Sequence, residues 1–295
     1  MSQAISPSAR KPYGLKRVCD VWRIARSTVY DRRRQAARRD AGEIPAKRGP
    51  RKGILSDAEL LERVRAAIEG SPWVGEGYRK IWARLRHDGV RTSSRRVLKL
   101  MRENDLLAPT RLGHAHGPKA HDGTIVTEKP DEMWGTDATS VLTDEGNAAI
   151  FFVLDHCTSE CLGIHAALRG TRFEALEPLR QAVRETRGGF DAGIAEGTAL
   201  RHDHGSQFIS HAYQEEVRFL GITSSPSYVR EPEGNGCAER FVRTLKEQLL
   251  WIHRFETVEK LLEALHEFRT SYNETWLIQR HGHVSPAEQR RRLAA

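Results

Sequence analysis

Three apolar runs rich in β-branched and aromatic residues follow one another in the second half of the chain. They read MWGTDATSVL, AAIFFVLDHCT and CLGIHAALRG, beginning at residues 133, 148 and 161, and short polar segments separate them. Such runs predict three adjacent strands. Downstream the pattern alternates, with a helix at 172–187, a strand at 199–203, a helix at 210–220 and a strand at 221–224. This order predicts an α/β fold in which helices pack on a mixed sheet.

Positive charge is concentrated at the N-terminus. The whole chain has a formal net charge of +8, whereas residues 1–53 alone hold 15 Lys or Arg and only 4 Asp or Glu. The remainder is therefore slightly acidic. A basic block of this kind commonly binds a polyanion through phosphate contacts and the release of counterions. A solvated basic tail is the alternative, but helical patterning within the block favours nucleic acid.

A helix-turn-helix pattern lies within this basic block. Residues 15–35 predict a short helix, a turn near Ile24, and a second helix with Ser27 or Thr28 as its N-cap. The apolar side chains expected to pack between the two helices are Val18, Val21, Trp22, Val29 and Tyr30. The arginines expected to face DNA phosphates or base edges are Arg32, Arg33 and Arg34. These features assign 1–35 to a DNA-binding region.

The composition changes after this region. Residues 36–53 contain Pro, Gly and several Lys or Arg, which is typical of a basic linker. Three amphipathic helices then predict a second small helical domain at 54–106. The last of these helices carries Arg95 and Arg96 and resembles a recognition helix that contacts DNA. Residues 107–130 are rich in Gly, Pro and His without periodicity, which indicates a second linker.

Membrane and secretory features are not predicted. No run approaches the roughly 20 apolar residues that span a bilayer, and the first residues lack the apolar core of a secretory signal. We therefore expect a cytoplasmic protein whose thiols are reduced. A structural zinc site is not expected, because no second closely spaced pair is found among Cys19, Cys157, Cys161 and Cys237.

Three acidic residues occupy positions from which they could share a metal site. Asp137 lies in the first predicted strand, Asp203 ends a later strand in RHDHGSQF, and Glu239 lies near the start of a helix in EGNGCAERF. Two divalent cations held by carboxylates activate an attacking hydroxyl and stabilise the leaving oxygen in phosphoryl transfer. Ligation by oxygen alone favours Mg²⁺ or Mn²⁺. Because acidic residues are common in this chain, their strand, turn and helix context carries more weight than their spacing.

The segments around these acids resemble a known family. The motifs are WGTDAT at 134–139, HDHGSQF at 202–208 and GNGCAERFVRTLK at 234–246, and 35 residues separate Asp203 from Glu239. They resemble the DDE transposases and retroviral-type integrases, most of all the second-frame (OrfB) transposases of the IS-three-type insertion sequences. The C-terminal YNETWLIQRHGHVSPAEQ is similar to that family as well.

The resemblance implies an RNase H-like catalytic core at 131–256 with a C-terminal helical extension at 257–295. It implies that Asp137, Asp203 and Glu239 are the catalytic residues and metal ligands. Water would attack at the transposon end, and the freed 3′-hydroxyl would attack a second phosphodiester. The implied partner is double-stranded DNA, both terminal repeats and target, bound by a homodimer or larger assembly. Family members often act with the product of an upstream frame.

Basic residues extend the third motif along one helical face. Glu239, Arg243 and Lys246 are spaced i, i+4 and i+7. The residues predicted to form the buried stripe of this helix are Phe241, Leu245, Leu249 and Ile252. In the resembled family a basic residue seven positions after the Glu holds the transposon end, so Lys246 is the first DNA-contact candidate, beside Arg243 and Asn235. The alternative is a Glu–Arg pair on a solvated surface.

Several alternatives stay open. Asp155 lies on the strand next to Asp137, but the family has an Asp there outside its three ligands, so a structural role is favoured. His204 and Cys237 stand where the family often has other residues. A helix-turn-helix regulator, or an inactive core, would bind DNA without cutting it. A ribonuclease or repair nuclease on the same fold would hydrolyse strands without joining them.

Overall fold

The computed structural model describes residues 3–42, 55–109, 127–227 and 236–294. The chain forms two compact units, Met1–Ile54 and Leu55–Ala295. Within the described ranges, the first unit holds two helices, and the second holds a helical domain and a sheet with its own helices. Among the helices in these ranges, none is both long and apolar enough to cross a lipid bilayer.

The N-terminal unit has the helix-turn-helix outline predicted from the sequence. Helix α1 (Leu15–Val21) and helix α2 (Arg26–Asp40) are joined by a short turn. The N-cap of α2 is Ala25, whose backbone is extended, and not Ser27 or Thr28. Since Ala25 offers no side-chain acceptor, this helix begins without the predicted polar cap.

Helix α2 is longer than the sequence pattern predicted. It ends at Asp40, so residues 36–40 are helical and the linker assignment is wrong for them. Ala and Arg dominate this stretch, and both favour helix more than the Pro and Gly that follow. The predicted linker from residue 43 onward lies outside the described residues.

The predicted packing between α1 and α2 is largely absent within this unit. Cys19 is buried, whereas Val21, Trp22 and Tyr30 expose 73%, 58% and 55% of their surface. Six of the 15 residues of α2 are Arg, so this helix has no apolar stripe to place against α1. The expectation that these three large side chains would be enclosed is wrong.

Three helices form the α3–α5 domain, residues 55–109, in agreement with the predicted second helical region. They are α3 (Asp57–Glu69), α4 (Tyr78–His87) and α5 (Ser94–Glu103). A capping box starts α3, because Ser56 Oγ accepts the N–H of Glu59 and the Glu59 carboxylate accepts the N–H of Ser56. Ser93 Oγ accepts the N–H of Arg96 and so caps α5. The domain core consists of Leu60, Val64, Ile81, Leu85, Val97, Leu100 and Met101.

A five-stranded mixed sheet follows. Its strands are β1 (Met133–Thr143), β2 (Gly146–Asp155), β3 (Cys161–Ala167), β4 (Ala199–His202) and β5 (Thr223–Pro226). They lie in the order β3-β2-β1-β4-β5, with the first three antiparallel, β4 parallel to β1 and β5 parallel to β4. The predicted α/β fold with a mixed sheet is confirmed. β5 begins at Thr223 and not at residue 221, because Gly221 (φ 78°) turns the chain out of the preceding helix.

Helices cover both faces of the sheet. They are α6 (Arg172–Arg187), α7 (His211–Phe219), α8 (Gly236–Leu245), α9 (Val258–Thr275) and α10 (Pro286–Ala294). Along β2, Ile150, Phe152 and Leu154 pack with α8 and α9, whereas Phe151 and Val153 pack with α6 and α7. Successive side chains of a strand point to opposite faces, so β2 contributes to both cores.

Helix α9 belongs to the core and is not an extension of it. Leu261, Leu265 and Phe268 pack in the same cluster as β2 and β3. The Asn273 side chain accepts the N–H of Cys161 and donates to its carbonyl, each at 2.9 Å. The predicted boundary at residue 256 therefore does not correspond to a break in the packing.

A π-helical turn (Lys246–Leu250) follows α8 directly. Such a turn holds more residues than an α-helical one and so rotates the chain that follows. Leu249 and Leu250 are 9% and 4% exposed, whereas Ile252 is 51% exposed. The prediction that Ile252 completes the buried stripe is wrong, and Leu250 takes that place.

Candidate active site

Asp137 lies near the middle of β1, the strand between β2 and β4. Its backbone neighbour on β2 is Phe152. One carboxylate oxygen, Oδ1, accepts the N–H of Ala138 at 2.8 Å. The preceding residue, Thr136, is fully buried and donates to the carbonyl of Phe152, which fixes the strand at this point. Asp137 is thus a half-buried carboxylate on an immobilised backbone.

Asp203 follows the last residue of β4. The parallel register pairs Trp134 with Leu200 and Gly135 with Arg201. Continued by two residues, this register places Asp203 level with Asp137 on the neighbouring strand. The two acids predicted to share a site therefore lie at adjacent inner strands of the sheet.

A tight turn orients the Asp203 carboxylate. Its Oδ1 accepts the N–H of Gly205 at 2.8 Å, in the manner of an Asx turn. A Cβ atom at Gly205 would lie 2.6 Å from Nε2 of Gln207 and 2.9 Å from Oδ1 of Asp203. The HDHG segment therefore needs Gly at this position to leave the carboxylate where it is.

Two histidines beside Asp203 bind β5 and the residue that follows it. His202 Nδ1 donates to the Asp203 carbonyl at 2.7 Å, and its Nε2 accepts from Ser224 Oγ at 2.8 Å. Burial lowers the pKa of His202, which favours the neutral ring that this pattern requires. His204 Nε2 donates to the carbonyl of Ser227 at 2.8 Å. The sequence alone assigned no role to His204; the signal that could have indicated one is the pair of histidines on either side of Asp203.

Glu239 lies in the first turn of α8 and acts electrostatically on Asp137. The pKa of Asp137 is raised to about 6, chiefly by burial, and the charges of Asp203 and Glu239 raise it further. The N–H of Ala138 and the charge of Lys246 act in the opposite direction. The structure thus places the three predicted acids and Lys246 within electrostatic range of one another.

The fit of these carboxylates to a divalent cation depends on their spacing and on their donor atoms. Within the described ranges, no three His, Cys, Asp or Glu side chains lie close enough together to form a ready-made metal site. The donor chemistry nevertheless fits Mg²⁺ or Mn²⁺, because all the donors are carboxylate oxygens. A cation would also offset the repulsion that raises the pKa of Asp137. Ligation by all three requires the carboxylates to come closer than they are here.

Asp155 has a different environment from the three acids. It is fully buried and accepts the backbone N–H groups of Asp131 and Thr158 as well as the Thr158 hydroxyl. The Arg290 guanidinium lies 3.8 Å from it. These contacts fix the end of β2 and the start of β1, in agreement with the structural role favoured from the sequence.

The predicted DNA-contact residues near Glu239 differ in their surroundings. Lys246 is the first residue of the π turn and acts on Asp137. Arg243 is exposed and donates to Glu247 at 3.1 Å, one helical turn ahead. Asn235 lies outside the described residues.

The predicted arginines of the helical regions also differ. The three on α2 are exposed, and Arg34 pairs with Asp31 at 2.6 Å. On α5, Arg95 is exposed, whereas Arg96 binds Asp57 at 2.6 Å and donates to the Leu55 carbonyl. Arg96 thereby ties α5 to the start of α3.

Comparison with protein families agrees with this architecture. A model described as an HTH-like domain matches residues 56–113. Two models described as an integrase core domain match residues 127–232 and 220–286. Together they cover the α3–α5 domain, the sheet and α9.

The curated relatives include transposases of Escherichia coli. The chain is 29% identical over 252 residues to transposase InsD for insertion element IS2A/D/F/H/I/K, and the match covers 83% of each chain. The same figures hold for transposase InsD for insertion element IS2D of strain K12.

Solved structures of retroviral integrases are similar to the chain at low identity. The catalytic core domain of HTLV-2 integrase in complex with magnesium has a TM-score of 0.42 and 15% identity, covering 55% of this chain and 97% of that one. The catalytic core domain of BIV integrase has a TM-score of 0.40 and 22% identity, covering 54% and 92%.

The mixed sheet and the matched domains define a protein with an integrase core domain, preceded by an HTH-like helical domain. Proteins of this class are polynucleotidyl transferases that act on DNA. The chain is similar to transposases of Escherichia coli insertion elements, and its function is DNA transposition.

Proposed function

We propose that Asp137, Asp203 and Glu239 together hold two divalent cations, Mg²⁺ or Mn²⁺, and form the single catalytic site of this transposase. The observation that supports the proposal is the placement of Asp203 level with Asp137 on the neighbouring strand, with Glu239 close enough to act on the same half-buried carboxylate, whose pKa is raised chiefly by burial and further by these two charges. Like charges gathered at a half-buried position destabilise one another unless a cation neutralises them. Electrostatic perturbation of this kind is typical of functional sites.

Each acid comes from a different kind of element. Asp137 is fixed by a central strand, Asp203 by a hydrogen-bonded turn, and Glu239 by the first turn of a helix. Bound cations would supply Lewis-acid activation of the attacking oxygen and charge neutralisation of the leaving oxygen. In the first step water attacks phosphorus at the transposon end and a 3′-hydroxyl leaves. In the second step that hydroxyl attacks a target phosphodiester and displaces the 3′-oxygen of the target strand.

DNA contacts follow from charge and exposure. We assign Lys246 to the transposon end next to the carboxylates, with Arg243 and Asn235 as neighbours on the same motif. Arg95 is assigned to DNA contact by α5, and Arg32, Arg33 and Arg34 to contact by α2. Arg96 was predicted among these residues, and its bonds to Asp57 and Leu55 favour a role in presenting Arg95.

The assembly proposed for the reaction contains two copies or more. Two transposon ends must be cut and joined in a coordinated way, so a homodimer or larger oligomer on DNA suits the reaction. A protein from an upstream frame is a further proposed partner. The site of action is the bacterial cytoplasm, on nucleoid DNA.

A strand-transfer assay with labelled transposon ends tests the catalytic assignment. Asp137→Asn is expected to abolish both cleavage and joining while the variant still binds the end. Asp191→Asn, at an exposed loop position, is the matched control and should cleave like the wild type. Cleavage by Asp137→Asn would refute the site. Hydrolysis without joining by the wild type would support the nuclease alternative, and binding without cleavage would support the regulator.

Thermal unfolding provides a readout that does not depend on activity. A ligand that binds only the folded state stabilises it by about 2.7 kcal/mol at 100 times its dissociation constant. Mg²⁺ or Mn²⁺ should therefore raise the Tm of the wild type and of Asp191→Asn, and should have much less effect on Asp137→Asn. An equal rise in all three proteins would place the cation elsewhere.

A further inference from the structure

Trp73, in the loop between α3 and α4, is part of the core of the catalytic sheet. It is 6% exposed and packs edge-on against Phe268 and Trp276, with ring centroids 5.7 Å and 5.0 Å apart. Its indole N–H donates to Thr275 Oγ1 at 3.0 Å. The α3–α5 domain is therefore anchored in the core by a buried aromatic side chain, although a linker of over 20 residues was predicted between the two.

Charged groups in α4 and in the loop before it reinforce this contact. The Glu76 side chain is 2% exposed, and Arg84 binds its two oxygens at 2.6 Å and 3.0 Å. Arg84 also donates to the Thr275 carbonyl at 3.4 Å. The Lys80 ammonium lies 2.8 Å from the centroid of the Trp276 ring, a cation–π contact. The cation–π contact crosses between the two parts and restricts how they can rotate. The Glu76–Arg84 ion pair is internal to the α3–α5 domain and holds Arg84 where it reaches Thr275.

Gln248 connects the same loop to the catalytic helix. Its side-chain Oε1 accepts the N–H of Val74, and its Nε2 donates to the Val74 carbonyl, each at 2.9 Å. Gln248 lies in the π turn that begins with Lys246 and directly follows α8, the helix of Glu239. π turns are frequent at functional sites. This one directs the Gln248 side chain towards the α3–α5 domain.

The DNA-facing side of α5 is joined to this interface through α4. The Trp82 indole N–H donates to the Thr92 carbonyl just ahead of α5, and its ring packs edge-on against His283. The exposed cations on one face of α5 are Arg95, Lys99 and Arg102, spaced i, i+4 and i+7. Helix α4 therefore contacts both the start of α5 and the segment between α9 and α10.

We propose that the α3–α5 domain and the catalytic core act as one rigid body that fixes the distance between the DNA segment bound by α5 and the phosphodiester that is cut. Relative motion is the ordinary expectation for two domains joined by a linker unless their interface is large and apolar. Here a buried tryptophan, a cation–π contact and a paired amide–backbone contact cross the interface and oppose that motion. Gln248 is a positioning residue, since it acts through Val74 and not on the reacting atoms.

This inference rests on the proposed function and is tested with duplexes that carry the terminal inverted repeat of the element. A footprint first locates the segment whose protection is lost in Arg95→Ala. About 5 or about 10 base pairs, roughly half a turn or one turn of DNA, are then inserted between that segment and the terminus. Cleavage at the terminus should fall at least tenfold for both insertions, or the cut should move with the inserted length.

Variants of the interface separate rigid positioning from other effects. The measured quantity is the ratio of cleavage on inserted ends to cleavage on native ends. This ratio should rise towards one in the double variant Gln248→Ala/Trp276→Ala and in the milder double variant Gln248→Ala/Thr275→Val. Glu263→Ala, an exposed change on α9, should keep the wild-type ratio. Equal terminal cleavage of native and inserted ends by the wild type, or an unchanged ratio in both interface variants, would overturn the proposal. No cleavage of the native end would instead count against the catalytic site.

Discussion

Gly205 controls the position of the Asp203 carboxylate. An added Cβ would meet only the far ends of the Gln207 and Asp203 side chains, so the fold can accommodate it while the carboxylate cannot stay in place. The cost is therefore expected in catalysis more than in stability. Catalytic groups must be held within a fraction of an ångström of their working positions, and Gly205 meets this need for Asp203.

We expect Gly205→Ala to lower the cleavage rate at transposon ends by about 10- to 100-fold, the range caused by small misplacements of reacting groups. End binding and Tm should change little. Gly77→Ala is the matched control, because a Cβ at Gly77 meets no atom within 4 Å and its φ is −70°. Single-turnover cleavage, gel shift and thermal unfolding of the two variants provide the comparison. A large fall in Tm with unchanged cleavage would contradict this view of the turn.

The burial of His156 should make the free energy of unfolding depend on pH. It is 7% exposed, and burial lowers its pKa to about 4, with the charges of Arg280 and Arg201 acting in the same direction. Because the folded-state pKa lies below the unfolded value, the neutral ring stabilises the fold above about pH 6.5, and that stability is lost as the pH falls towards 4. The raised pKa of Asp137 has the opposite effect, so total stability alone is not diagnostic.

The difference between wild type and His156→Gln isolates the contribution of the histidine. Between pH 7 and pH 5 the wild type should lose about 1–2 kcal/mol of unfolding free energy more than the variant does. Denaturant unfolding at the two pH values measures this. Equal losses in both proteins would show that His156 is accessible to protons in the folded state.

At the scale of the elements, regular patterns were predictable and local irregularities were not. The apolar runs of β1 to β3 and the helix at 172–187 were predicted close to their observed bounds, because period-2 and period-3.6 patterns report burial directly. The π turn after α8 leaves no such pattern, so the phase of the buried stripe was predicted wrongly from Ile252. For the site, the acids could be found from their motifs. The bonds that hold them, such as His204 to Ser227, join segments that only the fold brings together.

The π turn leads to a paired prediction for two neighbouring apolar residues. Leu250 is 4% exposed in the core cluster, whereas Ile252 is 51% exposed. Leu250→Ala should lower the free energy of unfolding by about 2–4 kcal/mol, as expected for a buried leucine. Ile252→Ala should change it by less than about 0.5 kcal/mol, as at ordinary surface positions. Equal losses in denaturant unfolding, or a larger loss for Ile252, would mean that α-helical phasing continues past Leu245.

In the whole molecule, the excess of positive charge and the proposed catalytic acids lie in different units. The N-terminal unit carries the basic excess, while the three acids lie in the second unit, which has its own apolar cores. Contacts between cations and phosphates contribute affinity that depends on salt and little on sequence. The arginines of α2 should therefore govern how tightly DNA is held, and they should not affect the cutting step once DNA is bound.

The triple variant Arg32→Ala/Arg33→Ala/Arg34→Ala tests this separation. Each phosphate contact contributes about 0.9 to the slope of log affinity against log salt, so losing three contacts should reduce the slope by about 2.7. Arg254→Ala, which removes an arginine with 83% of its side chain exposed in the second unit, is the control and should leave the slope nearly unchanged. Cleavage of pre-bound ends in a single turnover should be the same in all three proteins. If the slope of the triple variant matches the wild type while cleavage falls, the α2 arginines act in assembly or catalysis and not in phosphate binding.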